Sequence, residues 1–93
     1  MRLKWTRTAL HDLNALHSYI ALDDPAAADR FVDRILEGVQ LLPTQPEMGR
    51  SGRVPQTREF VVPPYVVAYR VRQSEIAILA IIHSARRWPD SFA

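Results

Sequence analysis

The sequence predicts an α+β fold of order β-α-α-β-β-β, in which a two-helix hairpin packs on one face of a small twisted antiparallel sheet. Three observations predict it. Apolar residues recur at helical spacing in two stretches between residues 6 and 42, which is typical of amphipathic helices. The join between the stretches is very short, which favours an antiparallel hairpin. From residue 57 onward the apolar period changes to two, as it does in strands.

The first strand and the first helix are predicted by the N-terminal residues. Arg2 to Trp5 alternates polar and apolar side chains, as a short strand does. Thr6 is a predicted N-cap, because its hydroxyl can accept a hydrogen bond from a backbone N–H of the first turn. We expect this helix to end near Leu22–Asp23.

The second helix is predicted to begin directly afterwards. Asp24 can cap it, and Pro25 suits its first turn because proline lacks the N–H that would be unpaired there. An apolar stripe then follows at helical spacing, consisting of Ala28, Phe31, Val32, Ile35, Val39 and Leu42. This stripe is the surface that the helix should pack against the sheet.

The C-terminal half is predicted to hold three strands after a loop. Residues 43–56 contain three prolines and two glycines and are predicted to be loop. The strands are expected over Thr57–Val62, Tyr65–Arg72 and Glu75–His83, with Gln73–Ser74 as a hairpin turn. Since short turns join these strands, they should be antiparallel neighbours.

The last of these strands is predicted to be central, because both of its faces are apolar. Strict alternation would place four side chains together on one face: Ile76, Ile78, Ala80 and Ile82. The helix hairpin can cover one face of the sheet. The opposite face is then free for a partner or a substrate.

Length and composition restrict the class of protein. The 93 residues predict one domain, 1–93. Without cysteine, disulfides and thiolate metal sites are excluded. We expect no other metal site and no cofactor, because His11 and His17 do not share a helical face and no glycine-rich phosphate loop is present. No apolar run approaches a membrane span or a signal peptide, which predicts a cytoplasmic protein without a membrane partner.

Charge is unevenly distributed along the chain. Residues 1–48 carry a net charge of −2, residues 49–93 carry +4, and all seven basic residues of the second half are arginine. The guanidinium group offers a planar set of donors that suits carboxylates and phosphates. The second half therefore predicts a local anion-binding surface, although scattered solvated arginines would give the same count.

Four stretches, in this order and spacing, resemble the RelE/ParE superfamily of bacterial toxins. Pro46–Gly49 follows a long second helix, and Arg58–Glu59 opens a strand. Tyr65–Val71 reads YVVAYRV, and Ile81–Pro89 reads IIHSARRWP, which is similar to the closing segment of ParE-like members. The resemblance covers essentially the whole chain and implies the fold predicted above.

This resemblance implies the toxin of a type II toxin–antitoxin system, held in a heteromeric complex by a cognate antitoxin. RelE-like members cleave messenger RNA on the ribosome, whereas ParE-like members inhibit DNA gyrase and are not nucleases. We favour the ParE-like function for this chain. The alternatives are a ribosome-dependent mRNA endonuclease and a non-toxic relative that binds an antitoxin only.

The residues expected for RNA cleavage are incomplete. The position of an arginine in RelE is occupied by Val66, and that of a catalytic tyrosine by Phe92, which has no hydroxyl. If the chain were a metal-independent nuclease, its general base, its general acid and its cations would have to come from four other residues. This nuclease set consists of His83, Glu59, Arg70 and Arg86. The competing interpretation of His83 is a strand-end residue that hydrogen-bonds the tail.

A second set is predicted to contact the target of the toxin. Its members are basic or aromatic and come from the loop, the strands and the tail: Arg50, Arg53, Arg58, Arg70, His83, Arg86, Arg87 and Trp88. If the sheet folds as predicted, several of these side chains should converge on the face opposite the helices. Arg86, Arg87 and Trp88 are the hypothesised toxic part of the tail.

Overall fold

The computed structural model describes residues 1–92, which form two helices and one five-stranded sheet. The elements are β1 Arg2–Trp5, α1 Arg7–Ala21, α2 Pro25–Leu41, β2 Arg50–Ser51, β3 Arg58–Val62, β4 Tyr65–Arg72 and β5 Glu75–His83. The strand order is β1-β5-β4-β3-β2. The α+β class and the helix hairpin on one face are thereby confirmed.

Both helices begin at the predicted caps. The Thr6 hydroxyl oxygen accepts a hydrogen bond from the Ala9 N–H at 3.2 Å, and the Asp24 carboxylate accepts one from the Ala27 N–H at 3.1 Å. The Thr6 hydroxyl also donates to the carbonyl of Ile78 at 2.7 Å. One side chain thus caps α1 and fixes its start against β5.

The sheet differs from the prediction in two respects. β1 pairs with β5 in parallel, so the sheet is mixed rather than wholly antiparallel. The reason is that β1 leads into α1 and is not joined to β5 by a hairpin, so no turn dictates its direction. In addition, the predicted loop contains β2, a two-residue strand antiparallel to β3, which is too short to show a period.

A β-bulge at Leu79 corrects the predicted faces of β5. Ala68 pairs with Ala80 and Tyr69 with Ile78, so Leu79 has no partner in β4. Because one inserted residue inverts the alternation, the residues of β5 that face the helices are Ile76, Ile78, Ile81 and His83 rather than an unbroken even-numbered series.

The core lies between the helices and this face of the sheet. From the helices it takes Ala9, Leu16, Phe31, Ile35, Val39 and Leu42, and from the sheet Val62, Val67, Tyr69, Ile76, Ile78 and Ile81. Helix α2 approaches β3 closely at Gly38, where a Cβ would overlap the ring of Phe60. Trp5 packs against this core and anchors the first strand.

Tyr69 connects the core to the loop after α2. Its hydroxyl donates to the carbonyl of Pro46 and accepts from the N–H of Gly49, both at 2.8 Å. A Cβ at Gly49 would lie only 2.6 Å from the Tyr69 hydroxyl oxygen, so glycine is required by this approach. Burial raises the pKa of Tyr69 above its usual value, despite the Gly49 hydrogen bond and the nearby charge of Arg58.

The exposed edge of β5 is capped by a side chain of α1. β1 covers β5 only from Glu75 to Ile78. Beyond this point the Asp12 carboxylate accepts a hydrogen bond from the Ile81 N–H at 3.0 Å.

Within residues 1–92, neither helix is long and apolar enough to span a bilayer.

We predict that Tyr69→Phe lowers the free energy of unfolding by about 2 kcal/mol, because it leaves a partly buried carbonyl and a buried N–H without their partner. Urea denaturation measures this change. Tyr19→Phe is the matched control, since Tyr19 is 71% exposed. Equal stability of the two variants would show that the Tyr69 hydroxyl does not hold the loop.

Candidate functional site

Glu59 lies near the centre of the sheet face that points away from the helices. We call this the distal face; it carries Glu59, Val61, Val66, Ala68, Arg70, Arg72, Glu75, Ala77, Ala80 and Ile82. Glu59 pairs with Ala68, while the neighbouring Phe60 and Val67 face the core. Although charged, Glu59 is only 2% exposed.

Two arginines from the segment before β3 bind this carboxylate. Arg50 donates from Nε and Nη2 to Oε1 at 3.0 and 2.9 Å. Arg53 donates its backbone N–H and Nε to Oε2 at 2.8 and 3.1 Å, and its Nη2 to Oε1 at 3.2 Å. Both oxygens are therefore fully engaged, as a buried carboxylate requires.

The charge state of Glu59 follows from these contacts. Burial alone would raise its pKa, but the hydrogen bonds from the side chain and backbone of Arg53 and from Arg50 outweigh that effect and hold the pKa below its usual value. Glu59 is thus an ionised carboxylate at neutral pH, with no lone pair directed toward a free site.

Arg53 also joins this cluster to the C-terminal segment. Its guanidinium carbon lies 3.8 Å from the centroid of the Trp88 indole ring, within the range of a cation–π contact. The backbone turns after β5, where Ser84 donates to the carbonyl of Pro64 at 2.8 Å. Arg86 and Arg87, between this turn and Trp88, are exposed.

His83 lies on the opposite side of the sheet. Its ring packs edge-on against Tyr65 with centroids 5.2 Å apart, and Tyr65 in turn packs against Phe31 of α2. Its Nδ1 accepts a hydrogen bond from the Ala85 N–H at 3.1 Å, as expected of a strand-end histidine that holds the tail. A cavity of about 510 Å³ adjoins it, lined also by Tyr19 of α1 and Arg86.

The residues of the conditional nuclease set are consequently not brought together. Glu59 and Arg70 lie on the distal face, whereas His83 and Arg86 line the cavity beside α1. The Leu79 bulge accounts for the position of His83, because it inverts the alternation of β5 and so directs this side chain to the helix side. A general acid and a general base must both reach the same substrate atoms, which this arrangement does not provide.

The predicted target-contact set divides into three groups. Arg50, Arg53 and Trp88 gather around Glu59. Arg58 and Arg70 line a cavity at the end of β3 and β4, and Arg58 also donates to the carbonyl of Gly49. His83 and Arg86 line the cavity beside α1, and Arg87 is exposed on the tail. The sequence reasoning missed Arg72, which lines the same cavity as Arg70 and shares its strand parity.

Titratable side chains do not form a metal site among the residues that the structure describes, since no three histidines or carboxylates come together there. A hydrogen-bond contact between His17 Nε2 and the Asp29 carboxylate, at 2.8 Å, joins α1 to α2 at the surface. It is a link between the helices.

The chain belongs to a family of bacterial toxins. A family model described as the ParE toxin of the type II toxin–antitoxin system parDE matches residues 3–88. This match begins within β1 and spans both helices, the other four strands and the tail as far as Trp88. It confirms the assignment to the RelE/ParE superfamily.

Relatives and a solved structure agree with this membership. The chain is similar to the toxin candidate Y4kP of Sinorhizobium fredii, at 41% identity over 96% of this chain and 94% of that protein. It is similar to the toxin RelE2 of Caulobacter vibrioides, at 39% identity over 88% and 93% of the two chains. A solved chromosomal ParDE system from P. aeruginosa aligns with a TM-score of 0.78 and 36% identity, covering 89% of this chain and 95% of that chain.

We predict that Glu59→Gln lowers the free energy of unfolding at pH 7 by roughly 2 kcal/mol, less than for a fully buried pair because both arginines are partly exposed. Since the folded pKa lies below the ordinary value of 4.5, the stability from Glu59 is present above that pH and is lost as pH falls through the folded pKa.

Urea titrations between pH 7 and pH 3 measure this difference. The wild type and Glu59→Gln should converge in stability toward the acid end. Glu37→Gln, on the exposed side of α2, is the control and should behave as the wild type does at every pH. A gap between the wild type and Glu59→Gln that stays constant with pH would contradict an ionised, paired Glu59.

Proposed function

We propose that this toxin inhibits DNA gyrase without cleaving RNA and is neutralised by a cognate antitoxin. The observation that carries the proposal is the engagement of Glu59 by two arginines, with His83 on the other side of the sheet. The distal face therefore offers cations and an indole ring for contact, but no proton-transfer pair. Such a surface suits binding to an acidic macromolecule.

The chemistry of RNA cleavage argues in the same direction. Attack by a ribose 2′-hydroxyl needs a base to remove its proton, an acid to protonate the leaving oxygen and a cation for the phosphorane. Val66 supplies no cation and Phe92 no hydroxyl at the positions where RelE-like toxins have them. Glu59, the buried carboxylate of the distal face, has no free lone pair to act as base.

The tail is the proposed contact with the target. Arg86 and Arg87 are exposed. The Trp88 ring contacts the guanidinium group of Arg53, which is hydrogen-bonded to Glu59. Two cations are thus presented on a segment whose end is anchored. Removal of the residues after Ser84 is expected to abolish toxicity for this reason.

The antitoxin is proposed to cover a different region. The C-terminal end of α1 exposes Tyr19 at 71% and Leu22 at 86%, and the outer faces of both helices carry aspartates. Exposed apolar side chains beside the cavity next to α1 are a suitable dock for an amphipathic segment that folds on binding. The similarity to a ParDE system supports an antitoxin as the partner.

The proposed activity is tested with purified gyrase. The wild-type chain is expected to inhibit DNA supercoiling, and its induced expression is expected to cause filamentation and a DNA-damage response. Arg86→Glu combined with Arg87→Glu should weaken inhibition by about tenfold or more, because reversed charges repel an acidic surface.

The control is Arg7→Glu combined with Arg30→Glu, which reverses two exposed charges on the helices. This variant should inhibit gyrase as the wild type does. If the wild type leaves supercoiling intact and instead stops translation with cuts in ribosome-bound mRNA, the gyrase proposal is wrong and the RelE-like activity replaces it. Unimpaired growth and unimpaired supercoiling would indicate a non-toxic relative.

A further inference from the structure

A second cavity, of about 500 Å³, opens where β4 extends beyond β3. The pairing of these strands stops at Arg58 and Tyr69, so Arg70 and Arg72 have no partner in β3. The cavity is lined by Arg58, Arg70 and Arg72. It is separate from the Glu59 cluster and from the cavity beside α1.

The positive charge of this cavity is not compensated by its lining. No carboxylate lies among the lining residues. Glu59 is saturated by Arg50 and Arg53, and Glu75, which pairs with Arg72 across the β4–β5 hairpin, does not line the cavity. Arg70 and Arg72 share the distal face, whereas Arg58 pairs with Tyr69 and donates to the carbonyl of Gly49. An arginine-lined cavity without a carboxylate in its lining favours binding an anion.

The Nε atom of Arg70 supplies an independent observation. It is buried, yet it has no hydrogen-bond acceptor within residues 1–92. A guanidinium N–H can only donate, and leaving a buried donor of a charged group unpaired is costly. Such an orphaned group in a native fold calls for an acceptor that the described residues do not supply.

The lining also contains polar side chains, one of them at a left-handed backbone position. Gln56 has a φ of 64°, which is unusual for a residue other than glycine and is often found at binding sites. Ser51 and Gln56 line the cavity together with the arginines. A hydroxyl and an amide N–H can donate to the oxygens of a ligand.

We propose that this cavity binds the phosphate group of a small phosphorylated molecule. A phosphate carries more charge and more acceptor oxygens than a carboxylate, so it matches Arg70, Arg72 and the polar lining residues better. A volume of about 500 Å³ exceeds one phosphate and lies in the range of pockets for small ligands. The site is distinct from the proposed gyrase contact on the tail.

The proposal is tested by titrating the purified chain with a nucleoside monophosphate. Binding is measured by amide NMR shifts and by calorimetry. The unphosphorylated nucleoside is the ligand control. We expect shifts at Ser51, Gln56 and Arg70 with the phosphate only. Arg70→Gln and Arg72→Gln should each weaken binding by about tenfold, the loss of one charge-assisted contact.

Arg30→Gln, an exposed arginine on α2, is the matched protein control and should bind as the wild type does. Arg72 is also exposed, so its variant keeps the test valid if Arg70→Gln fails to fold. Equal binding of inorganic phosphate would support a site for the phosphate group itself. Equal affinity in all variants, no binding, or tighter binding of an acidic peptide than of phosphate would overturn the proposal. None of these measurements involves gyrase, so the outcome is independent of the proposed activity.

Discussion

The distal face depends on the pairing of one buried carboxylate with two guanidinium groups. Glu59 comes from β3, Arg50 from β2 and Arg53 from the loop between them, so this contact closes the segment from 50 to 59 on itself. Removing a charge from water is expensive, and only full hydrogen bonding offsets that cost. Arg53 also makes a cation–π contact with Trp88, and this contact holds the C-terminal segment against the cluster. One ionic contact therefore determines how a loop, an edge strand and the C-terminal segment are arranged.

Much of the fold could be predicted from local chemistry. The caps at Thr6 and Asp24 set the starts of both helices, and alternation located the longer strands. The direction of β1 could not be predicted, because its neighbour in the sheet lies far along the chain. β2 was not predicted for another reason, because a strand of two residues is too short to show an alternation.

The candidate site was less accessible to such reasoning. The concentration of arginines in the second half indicated an anion-binding surface, but not which arginines are neutralised internally. Arg50 and Arg53 are engaged by Glu59 and Arg58 by the Gly49 carbonyl, whereas Arg70 and Arg72 line an open cavity. The position of His83 depends on the unpaired Leu79. A one-residue insertion in a wholly apolar strand leaves no trace in the pattern, because both faces of that strand are apolar.

The contact of Asp12 with Ile81 has a consequence for self-association. β1 covers β5 for only part of its length, and β5 has no strand partner on that edge beyond Ile78, so an unpaired N–H there could template another strand. Exposed strand edges of this kind promote aggregation in β proteins. The Asp12 carboxylate occupies the Ile81 N–H and places a negative charge on that border. An incoming strand would have to displace the Asp12 carboxylate first. Helix α1 therefore opposes the extension of the sheet by a second molecule.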